Sequence, residues 1–224
     1  MLSIVGIGYS IYSLYGHFNE YRVSAEKYTQ LHYIYENTAE TEKHKELTVV
    51  NEDYLGWLAV EGAGVEYPVV QSSDNDFYLT HNFYQEYDLA GAIFMDYRNS
   101  REKLDTHTII YGHNLKDKSM FGRLSDILTD DFSEGNVITF DFNNETYEGE
   151  IFSAYVTRDV DWMDIDFDTP EAYGQFLDQM MSKSARDFTI EVNEEDQIIT
   201  LATCTSRVTD ERVVIHAKLS KEKK

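Results

Sequence analysis

Three side chains in this sequence could together carry out acyl transfer. Cys204 is the only cysteine among the 224 residues, and it ends the apolar run that begins at residue 198. His113 follows another apolar run, and Arg212 lies a short polar segment beyond the cysteine. A thiolate attacks carbonyl carbon, an imidazole accepts and returns a proton, and a guanidinium supplies a fixed positive charge with several donors. The combination predicts acyl transfer through a thioester.

Each of these residues also has a simpler explanation. A lone cysteine in an apolar run is usually a small core residue. His216 competes with His113 for the role of base, and Arg207 competes with Arg212 because both arginines follow the cysteine closely. An arginine beside acidic residues can also form a surface ion pair of little energetic value. The joint occurrence of the three residue types is what favours catalysis.

The elements that must position these side chains are short strands. Residues 108–111 and 198–203 are apolar runs that are too short for buried helices. Residues 212–219 form a third run, which Arg212 opens. If the last two strands are antiparallel neighbours, the intervening loop is long enough to let Cys204 face Arg212.

Two hairpins are predicted elsewhere in the chain. Residues 57–60 and 65–70 flank a turn that contains two glycines. Residues 137–142 and 146–152 flank Asn143-Asn144, a dipeptide typical of tight turns.

One helix is equally clear, and it lies near the end of the chain. Thr169 is a suitable N-cap, Pro170 suits the first helical position, and an apolar stripe follows.

Residues 188–192 are predicted to form a further strand before the last two. Many short strands with isolated helices between them predict a mixed α/β fold that is dominated by β structure and resembles a barrel.

The amino-terminal third of the chain is organised differently. Residues 1–19 contain no Asp, Glu, Lys or Arg and are predicted to be the remnant of a truncated signal-anchor or transmembrane segment, with an amphipathic helix as the alternative. Residues 20–53 are polar and are predicted to form a helical segment and a linker, because apolar residues recur there at helical spacing. Residues 54–224 are predicted to form the catalytic domain.

Composition excludes some functions. The formal net charge is −22, which disfavours nucleic acid because phosphates would be repelled. The charge is typical of a soluble surface, although it could also attract a basic partner. Acidic residues are abundant, but no loop has the spacing of an EF-hand, so neither a metal nor another cofactor is predicted.

The candidate residues lie in segments that resemble those of sortases. Residues 200–204, Thr-Leu-Ala-Thr-Cys, resemble the TLxTC signature, and residues 111–114, Tyr-Gly-His-Asn, resemble the histidine motif. Arg212 matches the third catalytic position, and the order His, Cys, Arg fits sortases, whereas papain-like proteases place Cys before His. The resemblance covers most of residues 54–219, and residues 67–71 and 91–99 are similar to class B members.

This resemblance implies a fold and a cellular location. The expected fold is a closed eight-stranded β-barrel with an N-terminal helix and a helix before the penultimate strands. The expected protein is a transpeptidase on the outer face of a Gram-positive cell membrane, held by a single N-terminal anchor.

The resemblance also implies a reaction. Cys204 would cleave surface proteins after Thr in an NPxTN- or PxTG-like C-terminal sorting signal, and an amine of a lipid II-type peptidoglycan precursor would resolve the acyl-enzyme. His113 would act as acid and base, and Arg212 would hold the substrate backbone or the oxyanion. Thr203, Asn114 and Ser206 are predicted to contact the substrate.

Two positions depart from the family pattern and two other functions remain open. Ala202 stands where many class B members carry Ser, and Ser206 stands where some relatives carry an acidic residue that steadies the histidine. The sequence therefore leaves open which group orients His113. The alternative functions are a thiol peptidase that only hydrolyses its substrate and a non-catalytic surface-binding barrel with Cys204 in its core.

Overall fold

The computed structural model describes residues 22–129, 132, 138–203 and 210–222. Cys204, Ser206 and Arg207 lie outside these ranges, as does the predicted anchor in residues 1–19. No helix within the described ranges is long and apolar enough to cross a membrane.

Strands dominate the described part of the chain. The helices are α1 through residues 22–37, α2 (Glu40–Val50) and α3 (Pro170–Ser182), with short 3₁₀ turns at Phe77–Leu79, Leu124–Leu128 and Asp161–Met163. The strands are β1 (Tyr54–Val60), β2 (Val65–Val70), β3 (Ile93–Met95), β4 (His107–Gly112), β5 (Ile138–Phe142), β6 (Glu145–Thr157), β7 (Gln197–Thr203) and β8 (Arg212–Lys221).

The eight strands close into a barrel in the order β1-β2-β3-β4-β7-β8-β6-β5. The pairs β2–β3 and β4–β7 are parallel, and the others are antiparallel. The predicted strand-dominated, eight-stranded barrel is confirmed, and α3 stands before the last two strands as expected. Closure gives every strand a neighbour on both sides, which leaves no unpaired edge on the barrel.

Local sequence explains the turns and the cap. Asn143 and Asn144 join β5 to β6 with φ angles of 52° and 63°, the left-handed conformation that a two-residue hairpin turn of the I′ type requires. Thr169 caps α3, because its hydroxyl oxygen accepts a hydrogen bond from the backbone N–H of Ala172 at 3.2 Å. Both sequence predictions are confirmed.

The strand predicted at residues 188–192 is wrong. This segment is irregular, although Phe188, Ile190 and Val192 alternate with exposed residues and pack against the core. Buried and exposed side chains therefore do alternate as in a strand. The segment nevertheless pairs with no strand, because each strand of the closed barrel already has a neighbour on both sides.

The N-terminal helices pack onto the barrel through a buried polar contact. The ring of Tyr35 stacks on Trp57 of β1 at a centroid distance of 4.1 Å, and its hydroxyl donates to the carboxylate of Asp141 on β5. The ammonium group of Lys43 lies 3.5 Å from the same carboxylate and 3.9 Å from the Tyr35 ring centre. Leu31 of α1 is fully buried and belongs to the same hydrophobic core as the barrel strands. The helices and the barrel thus share one core.

A chain of hydrogen bonds with a fixed direction crosses the interior between β4, β7, β8 and β6. The Nδ1–H of His107 donates to the carbonyl of Asp164 at 2.6 Å, so its Nε2 must accept from the hydroxyl of Thr200 at 2.6 Å. Thr200 then accepts from Nδ1–H of His216 at 2.7 Å, and Nε2 of His216 accepts from the hydroxyl of Tyr155 at 2.9 Å. A single carbonyl therefore sets the tautomer of both neutral imidazoles.

Burial makes these two histidines hard to protonate. It lowers the pKa of His107 to about 4, and together with the nearby His107 and Lys183 it lowers the pKa of His216 well below its usual value. An unfolded chain binds a proton at a histidine below about pH 6.5, whereas the folded chain does not until the pH reaches the lowered value. Folding stability from this pair is therefore complete above pH 6.5 and is lost as the pH falls toward 4.

We expect His107→Gln to flatten the pH dependence of stability. Between pH 6 and 4.5 the free energy of unfolding of the unmodified protein should fall more steeply than that of the variant, by about 1.4 kcal/mol per pH unit. The reason is that the unmodified chain takes up a proton at His107 when it unfolds, whereas the variant has no histidine there to take one up. Urea denaturation at a series of pH values measures both slopes. Above pH 7.5 the two curves should run parallel, and equal slopes below pH 6 would contradict the assignment.

Candidate active site

His113 leaves the end of β4 with its ring in a defined orientation. Its Nε2–H donates to the backbone carbonyl of Leu79 at 2.7 Å. A carbonyl can only accept, so the neutral ring keeps its free lone pair on Nδ1, which is available to take a proton. The backbone carbonyl of His113 accepts from the N–H of Phe121 at 2.9 Å, which fixes the main chain at the same point.

Gly91 lies against the imidazole and must be glycine. Its φ is +63°, and a Cβ there would lie 2.5 Å from the carbonyl oxygen of Tyr78 and 3.0 Å from Cδ2 of His113. The segment from Tyr78 to Gly91 therefore supports the ring and is called the histidine seat below. The Leu79 carbonyl accepts the hydrogen bond from Nε2–H, and the Gly91 backbone packs on the edge of the ring.

Arg212 opens β8 and is held beside an aromatic ring. Its guanidinium carbon lies 5.9 Å from the ring centre of Trp162, a distance suited to a cation–π contact. The Trp162 ring is fully buried, and its Nε1–H donates to the carbonyl of Asp159 at 2.9 Å. The backbone of Arg212 pairs with Thr157 of β6, so both the main chain and the side chain have fixed supports.

His113 and Arg212 line one cleft of about 280 Å³. The cleft combines apolar walls with amide, carboxylate and hydroxyl groups, which suits a short extended peptide. The remaining lining residues are Asn75, Asp76, Leu79, Phe94, Tyr111 and Met163.

A buried carboxylate organises the base of this cleft. Asp96 is 0% exposed and accepts hydrogen bonds from Nε and Nη2 of Arg98, both at 2.9 Å, from the hydroxyl of Tyr111 at 2.9 Å and from the amide of Asn75 at 3.1 Å. Burial alone would raise the pKa of Asp96, but the bonds from Arg98 and Tyr111 outweigh it and hold the pKa below its usual value. Burial and the Asp96 charge raise the pKa of Tyr111, so its hydroxyl remains a donor.

The other predicted site residues differ in their surroundings. Asn114 is exposed, and its backbone bridges to Met120. Thr203 is buried, and its hydroxyl oxygen accepts from the N–H of Val213 at 2.9 Å, which braces β7 against β8. Cys204 and Ser206 lie outside the described residues.

His216, the competing base, is enclosed in the interior. Its side chain is 0% exposed, and both ring nitrogens are engaged by Thr200 and Tyr155. Of these two histidines, His113 is therefore the one that reaches the cleft.

Two parts of the site were not found from the sequence. The group that holds His113 is a backbone carbonyl, that of Leu79, and no residue type announces it. Asp96 and Arg98 lie in a segment that resembles class B members, yet their spacing alone gave no sign of a bidentate pair beneath a cleft. The signal available in the sequence was Asp96 itself, a charged residue that directly follows the apolar run 92–95.

Comparison with known proteins gives consistent matches. A family model described as the Sortase domain matches residues 58–220. Sortase B of Listeria monocytogenes is 39% identical over 179 residues, which cover 78% of this chain and 73% of that relative. Sortase B of Staphylococcus aureus is 35% identical over 97% of this chain and 92% of that relative.

Solved structures agree with these relatives. Sortase B from Bacillus anthracis in complex with AAEK1 has a TM-score of 0.85 at 35% identity, covering 92% of this chain and 100% of that chain. A Staphylococcus aureus sortase B-substrate complex has a TM-score of 0.85 at 33% identity, covering 91% of this chain and 99% of that chain.

We expect Asp96→Asn to destabilise the fold beneath the cleft. The substitution keeps the size of the side chain but removes the charge that accepts from Arg98 and Tyr111, and a lost charged hydrogen bond costs about 2 kcal/mol. Urea denaturation at pH 7.5 measures the loss. The control is Asp126→Asn, since Asp126 pairs with Arg123 at the surface and its replacement should leave the midpoint unchanged. Equal midpoints for both variants would contradict the role of Asp96.

Proposed function

The chain belongs to the sortase family, among its sortase B members, and we propose that Cys204 is the nucleophile of its reaction, with His113 as acid and base. Sortase B proteins are cysteine transpeptidases, and sortases act at the surface of Gram-positive bacteria. The protein is accordingly an enzyme that joins surface proteins to a cell-wall acceptor.

The register of β4 and β7 is the observation that carries the assignment. The two strands are parallel, and their last paired residues are Gly112 and Thr203. His113 directly follows β4 in the sequence and Cys204 directly follows β7, so both are expected to lie at the same end of the barrel. Arg212 begins β8, which pairs with β7 on the other side.

The first half of the reaction forms the acyl-enzyme. Nδ1 of His113 takes the proton of the Cys204 thiol, and the thiolate attacks the carbonyl carbon of the threonine in the sorting signal. The C–N bond of that peptide then breaks, and the imidazolium returns the proton to the departing amine. A thioester joins Cys204 to the surface protein.

The second half transfers the acyl group. The amine of the acceptor attacks the thioester carbon and gives a proton to His113. The C–S bond then breaks, and His113 passes this proton to the departing thiolate, which restores the thiol. Arg212 supplies positive charge and planar N–H donors near the oxyanion that forms in both halves. Its cation–π contact with Trp162 favours one position of the guanidinium before substrate arrives.

The substrate proposal follows from the cleft and the family. A sorting signal of the NPxTN or PxTG type is a short extended peptide, and the cleft offers Asn75 and Tyr111 beside apolar walls. Thr203, Asn114 and Ser206 are proposed to support or contact that peptide. The acceptor is proposed to be an amine of a lipid II-type peptidoglycan precursor.

The organisation of the chain completes the proposal. Residues 54–224 would form the catalytic barrel, residues 20–53 an N-terminal helical segment and residues 1–19 part of an anchor in the cell membrane. The catalytic cleft would then face the outside of the membrane, where sorting signals and wall precursors meet.

Turnover of a fluorogenic sorting peptide with and without an added amine tests the reaction class. We expect product joined to the amine from the unmodified enzyme and no turnover by Cys204→Ala, because the substitution removes the nucleophile. Mass spectrometry identifies the products. Hydrolysis that the amine does not change would identify a peptidase, and full turnover by Cys204→Ala would sink the assignment.

Arg212→Lys is expected to lower kcat about 100-fold, because lysine keeps the charge but loses the planar set of donors. The matched control is Arg158→Lys, since Arg158 also lies at this end of the barrel but pairs with Glu211 in solvent. Steady-state kinetics with the same peptide measure both variants. Wild-type kcat in Arg212→Lys would transfer the role to another cation, with Arg207 next.

A further inference from the structure

Helix α1 reaches the backbone that supports His113. The hydroxyl of Tyr28 on α1 donates to the carbonyl of Gly91 at 2.8 Å. Tyr28 is only 9% exposed, and burial raises its pKa well above the usual value, so the hydroxyl keeps its proton and remains the donor. The bond joins a helix outside the barrel to the loop that leads into β3.

Gly91 also lies against the imidazole of His113. Its Cα lies so close to His113 that an added Cβ would be 3.0 Å from Cδ2 of the ring and 3.1 Å from the Leu79 carbonyl oxygen. That same carbonyl accepts the Nε2–H of His113. A shift of Gly91 would therefore change both the packing of the ring and the position of the group that holds its proton.

Tyr28 is itself firmly held. Its ring meets that of Tyr67 edge to face at a centroid distance of 5.4 Å. The preceding residue, Lys27, pairs with Glu86, which lies in the same loop as Gly91. Helix α1 thus contacts this loop at two points. Of these, the contact of Tyr28 is with Gly91, the residue that lies against the ring of His113.

We propose that Tyr28 is a positioning residue for His113, acting through the Gly91 carbonyl. The inference rests on the proposed role of His113 as acid and base. Tyr28 does not touch the cleft, since it lines a separate groove with Tyr67 and Met120. Its contribution is to fix the Gly91 backbone, which in turn keeps the imidazole in the tautomer that carries its proton on Nε2 and its lone pair on Nδ1.

Loss of this bond affects rate more than binding. Without the Tyr28 hydroxyl, the buried carbonyl of Gly91 lacks this donor, and the loop can move to find another. Small displacements of a catalytic group reduce rate steeply, whereas the cleft walls that bind the peptide remain in place. The effect should therefore appear in kcat and leave KM nearly unchanged.

The test compares three tyrosine-to-phenylalanine variants on α1. Tyr28→Phe removes the bond to Gly91 and is expected to lower kcat about tenfold, with KM changed less than about twofold. Tyr33→Phe is the exposed control, at 67% exposure. Tyr35→Phe is the docking control, because it loosens α1 at Asp141 on β5 and leaves the Gly91 bond intact. Both controls should keep wild-type kcat.

A second readout reports the ring directly. Long-range ¹H–¹⁵N spectra of histidine-labelled protein should show His113 as the Nε2–H tautomer in the unmodified enzyme and as a mixture in Tyr28→Phe. Wild-type kcat and a single tautomer in Tyr28→Phe would overturn the proposal, and so would equal losses in Tyr28→Phe and Tyr35→Phe. Turnover by His113→Ala would instead contradict the proposed role of His113 as acid and base. The spectra of the unmodified protein and of Tyr28→Phe would still show whether Tyr28 fixes the tautomer of the ring.

Discussion

The parallel pairing of β4 with β7 is the constraint on which the rest of the molecule depends. Parallel neighbours must be joined by a long crossover, and here the crossover contains β5, β6, α3 and the turn that carries Trp162. The crossover segment that this parallel pairing requires also contributes Met163 to the lining of the cleft. Arg212 enters from β8, the next strand in the barrel.

Two backbone carbonyls give histidines in this fold opposite tasks. The Asp164 carbonyl binds Nδ1–H of His107 deep in the interior, where every ring nitrogen of His107 and His216 is satisfied. The Leu79 carbonyl accepts from Nε2–H of His113 at the rim of the cleft, which puts the lone pair of the neutral ring on Nδ1. An imidazole with both nitrogens hydrogen-bonded in the interior is structural, whereas one that keeps an available lone pair can accept a proton, which is the role proposed for His113.

The sequence predicted what local patterns control. The Asn143-Asn144 turn, the Thr169 cap and the end of β7 at Thr203 follow from conformational preference and periodicity, and β4 ends at Gly112, one residue beyond the predicted run. Residues 188–192 show the limit, because alternation records which side chains are buried and not whether a ladder partner exists. The seat of His113 was out of reach for another reason: it consists of main-chain atoms brought from a distant loop by tertiary packing.

The separation of the paired strands in sequence also predicts an order of folding. The β1–β2 and β5–β6 hairpins close over a few residues, whereas Ile109 of β4 must find Thr200 of β7 across most of the domain. Closing so large a loop is slow, because its entropy must be lost before its contacts form. His113 and Cys204 directly follow these two strands in the sequence, so the proposed activity would arise only once the barrel has closed.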